Sequence, residues 1–144
     1  MEIQTLLLCF YIMVIHTIAD FFFQTEEMAM NKSTSNGHLF NHVAVYVTIW
    51  VIGASTLFWF DCETSIFGKC VDAIKVLKFA VITFVSHFIT DYISSRISKK
   101  KFDKKEYYTR IPNFGGAFSV IQIDQLAHYA QLFATYYLIK QNVI

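Results

Sequence analysis

The sequence predicts an all-α integral membrane protein, a single transmembrane domain over residues 1–144 folded as a four-helix up-down bundle. Three observations predict it. The 144 residues are 55% hydrophobic and 17% aromatic with one proline, more apolar surface than one small soluble core can bury. Four stretches reach the roughly 20 residues that a helix needs to cross a hydrocarbon core of about 30 Å. Polar segments rich in turn-forming residues separate them.

The spans run from about Thr5 to Gln24, Leu39 to Phe60, Ile74 to Ser95 and Ala117 to Ile139. Between them, Asn31 to Gly37, the stretch with Asp61, Glu63 and Gly68, and the basic stretch ending in Pro112-Asn113-Phe114-Gly115-Gly116 read as loops. Lipid tolerates no unpaired backbone, so spans this short and continuous fold as helices rather than as barrel strands. The leading Met1-Glu2-Ile3-Gln4 lacks the basic start of a secretion signal and no small-residue cleavage site follows, so the first segment is expected to stay.

Seven of the twelve basic residues lie between Arg96 and Arg110. The positive-inside rule puts that loop, and with it the first loop, in the cytoplasm, with both termini outside. Trp50, Trp59 and Phe60 in the second span and Tyr136 and Tyr137 in the fourth suit an aromatic belt near the outer face. Cys9, Cys62 and Cys70 show no CxxC spacing, so neither a zinc ribbon nor a redox motif is supported, while Cys62 and Cys70 would share the outer, oxidising side of a short loop.

Ionisable groups within a span cost about 2.5 to 3.5 kcal/mol each on insertion scales, so they face a partner or a cavity. This chain carries them in every span. His16 and Asp20 stand four apart in the first, His87 and Asp91 repeat the spacing in the third, and Asp124 and His128 invert it in the fourth. His42 opens the second, four residues after His38. Residues four apart share a helical face, and all these pairs lie in the half of their span nearest a cytoplasmic loop. The inverted order in the fourth span is what a reversed helix direction requires if Asp20, Asp91 and Asp124 are to form a layer nearer the cytoplasm than His16, His42, His87 and His128.

Neutral imidazole and carboxylate together suit a divalent metal, zinc first, with manganese or iron as alternatives. The expected ligands are His16, Asp20, His42, His87, Asp91, Asp124 and His128, with Asp20, Asp91 and Asp124 as the catalytic carboxylates. Gln24, Tyr46 and Gln125 are expected to hydrogen-bond the ligands from behind. A proton or ion pathway and purely structural polar packing are the other readings of the same residues.

The ordered set His16-x-x-x-Asp20-Phe21-x-x-Gln24, Asn31-Lys32, His42 with Tyr46, His87-x-x-x-Asp91 and Asp124-Gln125-x-x-His128 resembles the domain-of-unknown-function family 3307 (DUF3307) of small phage and bacterial membrane proteins, over essentially the whole chain. The resemblance implies a bacterial inner (cytoplasmic) membrane protein and no established activity. The paired His-x-x-x-Asp motifs are also distantly similar to those of zinc-dependent phospholipase C and of membrane-bound metal-dependent hydrolases, in which Asp and His hold zinc ions acting on phosphodiesters. The N-terminal tryptophan ligand of the phospholipases is missing here. The expected function is therefore a membrane-embedded, metal-dependent hydrolase acting from the cytoplasmic side on a phosphodiester or lipid-linked bond, with an anionic lipid or nucleotide as substrate. A phage effector that binds or blocks a host membrane complex, and a small proton or ion conductor, are the alternatives. Beyond the lipid bilayer, a second copy of the chain or a host membrane protein is the expected partner, and no feature points to nucleic acid.

Overall fold

The computed structural model describes residues 3–60, 72–108 and 115–144, and every regular element among them is helical. α1 (Ile3–Thr17) runs into a π-helical turn, Ile18–Phe22; a short α2 (Glu26–Asn31) follows; α3 (Asn36–Phe60), α4 (Ala73–Asp103) and α5 (Ala117–Lys140) are long. Cys62, Cys70 and their expected pairing lie outside the described residues, as do Arg110 and Pro112-Asn113-Phe114 of the third expected loop.

Side-chain chemistry explains where the elements start. Thr25 accepts the Met28 amide at 3.2 Å and starts α2 inside what reads in the sequence as loop. Asp72 accepts the amides of Ile74 and Lys75 at 3.0 and 3.3 Å, satisfying two of the orphan donors at the head of α4. The two largest boundary differences from the sequence reading concern α3 and α4. α3 begins at Asn36 rather than Leu39, and α4 continues past Ser95 to Asp103. Lysine is a good helix former, and Lys99 pairs with Asp103 one turn on at 3.2 Å, so the basic segment prolongs the helix instead of opening a loop.

Cross-helix pairs give the directions. Tyr11 donates to the Gly53 carbonyl at 3.1 Å while His16 meets Tyr46 at 2.8 Å, so α3 recedes as α1 advances. Trp50 packs on Phe79, Tyr46 on His87, and Arg96 donates to Asn36 at 2.7 Å, which sets α4 against α3 in the same sense. Gln131 reaches Thr83 and Ser94 reaches Asp124, so α5 runs against α4. At the turn into α5, Gly116 is required, because a Cβ there would collide with the backbone of Tyr107.

The core beyond the histidines is apolar and holds Ile12, Trp50, Phe58, Phe79, Leu132 and Ile139. Trp50 and Tyr136, expected in an aromatic belt, are instead buried in it, whereas Trp59 and Tyr137 are exposed. Burial of a Trp ring against Phe79 wins over an interfacial position because the face of α3 that carries it also carries Tyr46 and Ala54 inward.

Three helical stretches, Ile3–Phe22, Asn36–Trp59 and Ala73–Asp103, are long and apolar enough to cross a membrane, and less than half of each apolar window is buried inside the protein. Leu7, Phe10, Ile52, Leu77 and Ile93 point outward while His and Asp point inward. That inverted distribution marks a protein of the membrane, where the surroundings are as apolar as the side chains facing them. α5 coincides with the fourth expected span but is the more polar helix, carrying Gln122, Asp124, Gln125, His128 and Gln131.

α1 and α3 approach closely at Gly53, where an added Cβ would sit 3.0 Å from Ile15 Cγ2 and 3.4 Å from the Trp50 ring. Gly53→Val should therefore force the helices apart and cost about 1–3 kcal/mol. Unfolding of the purified protein in detergent measures this, with Val51→Ala on the exposed face of the same helix expected to behave as the parent.

Candidate metal centre

Each histidine-bearing helix delivers one imidazole into the space between α1, α3, α4 and α5. His16, His42, His87 and His128 are all at most 1% exposed, and Asp20 and Asp91 are nearly as deep at 2% and 1%. Asp124 is partly buried. The π-helical turn carries Asp20 away from the plain helical register of His16: the two remain 4.0 Å apart, but Asp20 Oδ1 lies closer, at 3.1 Å, to His42 Nε2. Such turns recur at functional positions because they re-aim one side chain without ending the helix.

The six nearest groups form two sets that share Asp91. Asp20, His42, His87 and Asp91 make the first; Asp91, Asp124 and His128 make the second. In the first set His42 Nε2 is 3.1 Å from Asp20 Oδ1, 3.2 Å from Asp91 Oδ2 and 3.3 Å from His87 Nε2, and His87 Nε2 is 3.6 Å from Asp20 Oδ1 and 3.7 Å from Asp91 Oδ1. Ligand atoms at tetrahedral angles about an ion, with bonds of about 2.0–2.1 Å, stand about 3.3 Å apart. Asp20 Oδ1 is buried and, despite its distance to His42, makes no hydrogen bond of acceptable direction. It lies within 3.6 Å of both imidazole nitrogens. In the second set His128 Nε2 is 3.1 Å from Asp91 Oδ1 and 3.4 Å from Asp124 Oδ1.

Ring stacking fixes the imidazoles. His87 lies between Tyr46, with centroids 3.8 Å apart, and His128, 4.0 Å away, with interplanar angles of 21° and 23°. The Nδ1 atoms of His42 and His87 have no hydrogen-bond partner; at His87 stacking does what a carboxylate or carbonyl commonly does behind a ligand histidine, while His42 meets His87 only at a tilt, with centroids 5.4 Å apart.

His16, expected among the ligands, stands outside both sets. Gln125 donates its amide nitrogen to Asp20 Oδ2 at 3.1 Å and Asp124 Oδ2 at 3.2 Å, which turns its carbonyl oxygen toward His16 Nε2 at 2.8 Å. A carbonyl only accepts, so Nε2 carries the proton and Nδ1 accepts from the Tyr46 hydroxyl at 2.8 Å. Both nitrogens of His16 are thereby engaged. Gln125 and Tyr46 sit behind the charged groups, Gln24 leaves its carbonyl oxygen buried without a partner, and His38 is half-buried 3.9 Å from Glu27, apart from the cluster.

One member has no counterpart among the sequence-predicted site residues. Lys32, just after α2, reaches in to donate to Asp91 Oδ2 at 2.8 Å and lies 3.3 Å from His42 Nε2. Its place within the Asn31-Lys32 motif is the signal that was there to find. Burial disfavours its ammonium, yet Asp91 and Asp20 outweigh that and raise its pKa above the ordinary 10.5. Three carboxylates against one ammonium leave the cluster at net −2 with neutral imidazoles, the charge that one divalent ion balances.

The cluster forms the floor of a cavity of about 400 Å³. Asp20, Asp91, Asp124 and Lys32 line it and none of the four histidines does, so the carboxylates face the opening and the imidazoles lie behind them.

The profile of the family described as "Protein of unknown function (DUF3307)" matches residues 8–144 of this chain. No curated protein and no solved structure matches it.

Removing Lys32 strips a buried carboxylate of its cation. In chelated protein, Lys32→Met should lower stability by about 3 kcal/mol, the low end for a broken buried pair because the ammonium is partly exposed. With the folded pKa above the unfolded one, the pair's contribution is complete below about pH 10.5 and disappears as pH rises through the folded value. The difference in unfolding midpoint between parent and variant should thus be level from neutral pH to pH 10 and close above it.

Proposed function

The chain belongs to the DUF3307 family, and from the geometry of its buried cluster we propose that it is a membrane-embedded, metal-dependent hydrolase. It acts from the cytoplasmic side on a phosphodiester or another lipid-linked bond. One observation carries the reading: two imidazole nitrogens and two carboxylates face one another near the edge lengths of a metal tetrahedron, the carboxylates lining an open cavity and the imidazoles behind them, without hydrogen-bonding in all the ways their distances allow.

The first site takes Asp20, His42, His87 and Asp91, and the second takes Asp91, Asp124 and His128, which leaves the second short of four protein ligands on the side facing the cavity. Asp91 is common to both sets. Zinc fits a set of imidazole nitrogens and carboxylate oxygens with no sulfur, since Cys9 is not among them. When bound, such an ion brings the pKa of a coordinated water down to about 7 and offsets the charge of a leaving oxygen. The protein's own part is then to hold the ions, through stacked rings and the Gln125 bridge, and to admit substrate past Lys32.

The four long helices make an up-down bundle in a bacterial inner membrane, α5 completing it as the most polar member, with the basic end of α4 inside and both termini outside. The Lys32–Asp91 pair at 2.8 Å favours a second reading, in which lysine supplies the cation and the cluster is the polar core of an effector that blocks a host membrane complex.

Asp20→Asn, Asp91→Asn and Asp124→Asn remove an anionic ligand at little change in size, whereas Asp103→Asn changes an exposed carboxylate on the cavity rim. Elemental analysis of protein purified without chelator should find at least one divalent ion per parent chain and per Asp103→Asn chain, and a loss of half or more in each of the other three. Equal metal content in all five proteins, or none in the parent, refutes the hydrolase and leaves the lysine-neutralised core. A carboxy-terminal reporter active only in the cytoplasm refutes the orientation.

A further inference from the structure

Four hydroxyls of α1 and α3 are spent on their own backbone. Thr17 donates to the Met13 carbonyl, Thr48 to Ala44, Ser55 to Val51 and Thr56 to Ile52, all one turn back. On α4 the pattern breaks. Ser95 and Ser98 leave their hydroxyls buried without any hydrogen-bond partner, Ser98 being only 7% exposed, and both line the cavity above the carboxylates. A third orphan, the Gln24 carbonyl oxygen, lines the same cavity from the side of the π-helical turn. A serine that forgoes the ready-made bond to the previous turn keeps its donor free for something else, and a buried hydroxyl without a partner costs free energy until that something arrives.

We propose that this cavity is the seat of a phosphate ester. Ser95 and Ser98 donate to its phosphoryl oxygens. Lys99, at the rim between the serines and Asp103, supplies positive charge at the entrance. Phe21, Met30, Phe102 and Ile121 form an apolar wall suited to the start of an acyl chain. The site rests on the metal reading above, because the carboxylates of Asp20, Asp91, Asp103 and Asp124 outnumber the ammoniums of Lys32 and Lys99. Without a bound cation that lining repels an anion; one divalent ion neutralises it, and with two it attracts one.

The test uses full-length protein in detergent, loaded with zinc, and calorimetric titration with three probes: dihexanoyl phosphatidic acid, inorganic phosphate and dihexanoylglycerol. Phosphatidic acid is expected to bind and dihexanoylglycerol not to. Tighter binding of phosphatidic acid than of phosphate assigns the site to a lipid headgroup, and equal binding assigns it to a soluble phosphate ester; either supports the proposal. The Ser95→Ala/Ser98→Ala variant should lose at least about tenfold in affinity for the phosphoryl probe, as expected for two hydrogen bonds to a charged group, with its zinc content unchanged. Equal affinity in parent and variant at equal zinc content, or binding of dihexanoylglycerol as tight as phosphatidic acid, overturns this site and leaves the metal centre standing. A parent that takes up no zinc and binds no phosphoryl probe overturns both.

Discussion

Burial of three carboxylates among helices whose outward faces are apolar is the constraint on which the arrangement turns. Each such charge costs several kcal/mol to remove from water unless opposite charge and hydrogen-bond donors replace the solvent. Asp91 meets that demand by sitting at the junction of three elements, with Lys32 on one oxygen and His128 on the other. Asp20 and Asp124 are joined through one amide, that of Gln125, whose orientation they determine between them. The tautomer of His16 and its bond to Tyr46 then follow, and Tyr46 in turn stacks on His87. The charge requirement therefore propagates from α4 through α5 to α1 and α3.

Geometry separates holding from reacting in this cluster. The imidazoles lie on the side of the apolar block formed by Trp50, Phe79 and Leu132, where close packing limits their movement. The carboxylates face the cavity, where an ion's open position and an incoming ligand can meet. The serines that decline their own backbone stand on the same helix as Asp91, one turn and two turns further on. One continuous helix thus carries a residue common to both candidate metal sets and the donors that would meet a phosphoryl group above them.

Much of this was legible in the sequence, and the reason is periodicity. His16 with Asp20, His87 with Asp91 and Asp124 with His128 are local pairs, and a spacing of four fixes their common face before any tertiary contact forms. The reversal in α5 likewise follows from helix direction alone. Features set by distant contacts were not legible. Lys32 looks like one more polar loop residue until α2 folds back and brings it 59 positions across the chain to Asp91. The withdrawal of His16 depends on Gln125, 109 positions away. Trp50 reads as interfacial by composition and is buried because Phe79 faces it. The end of α4 was not legible because a run of charge reads as loop, whereas lysines on a helix with Asp103 one turn beyond Lys99 extend it.

The central claim is that imidazole nitrogens and carboxylate oxygens of this cluster hold a divalent ion. Zinc-edge X-ray absorption on the purified protein tests it most directly. The account predicts a first shell of nitrogen and oxygen scatterers at about 2.0–2.1 Å with the outer-ring features of imidazole, and no sulfur. A sulfur scatterer at about 2.3 Å, which would place the ion on cysteine, or a shell of oxygen alone without imidazole features, would contradict it.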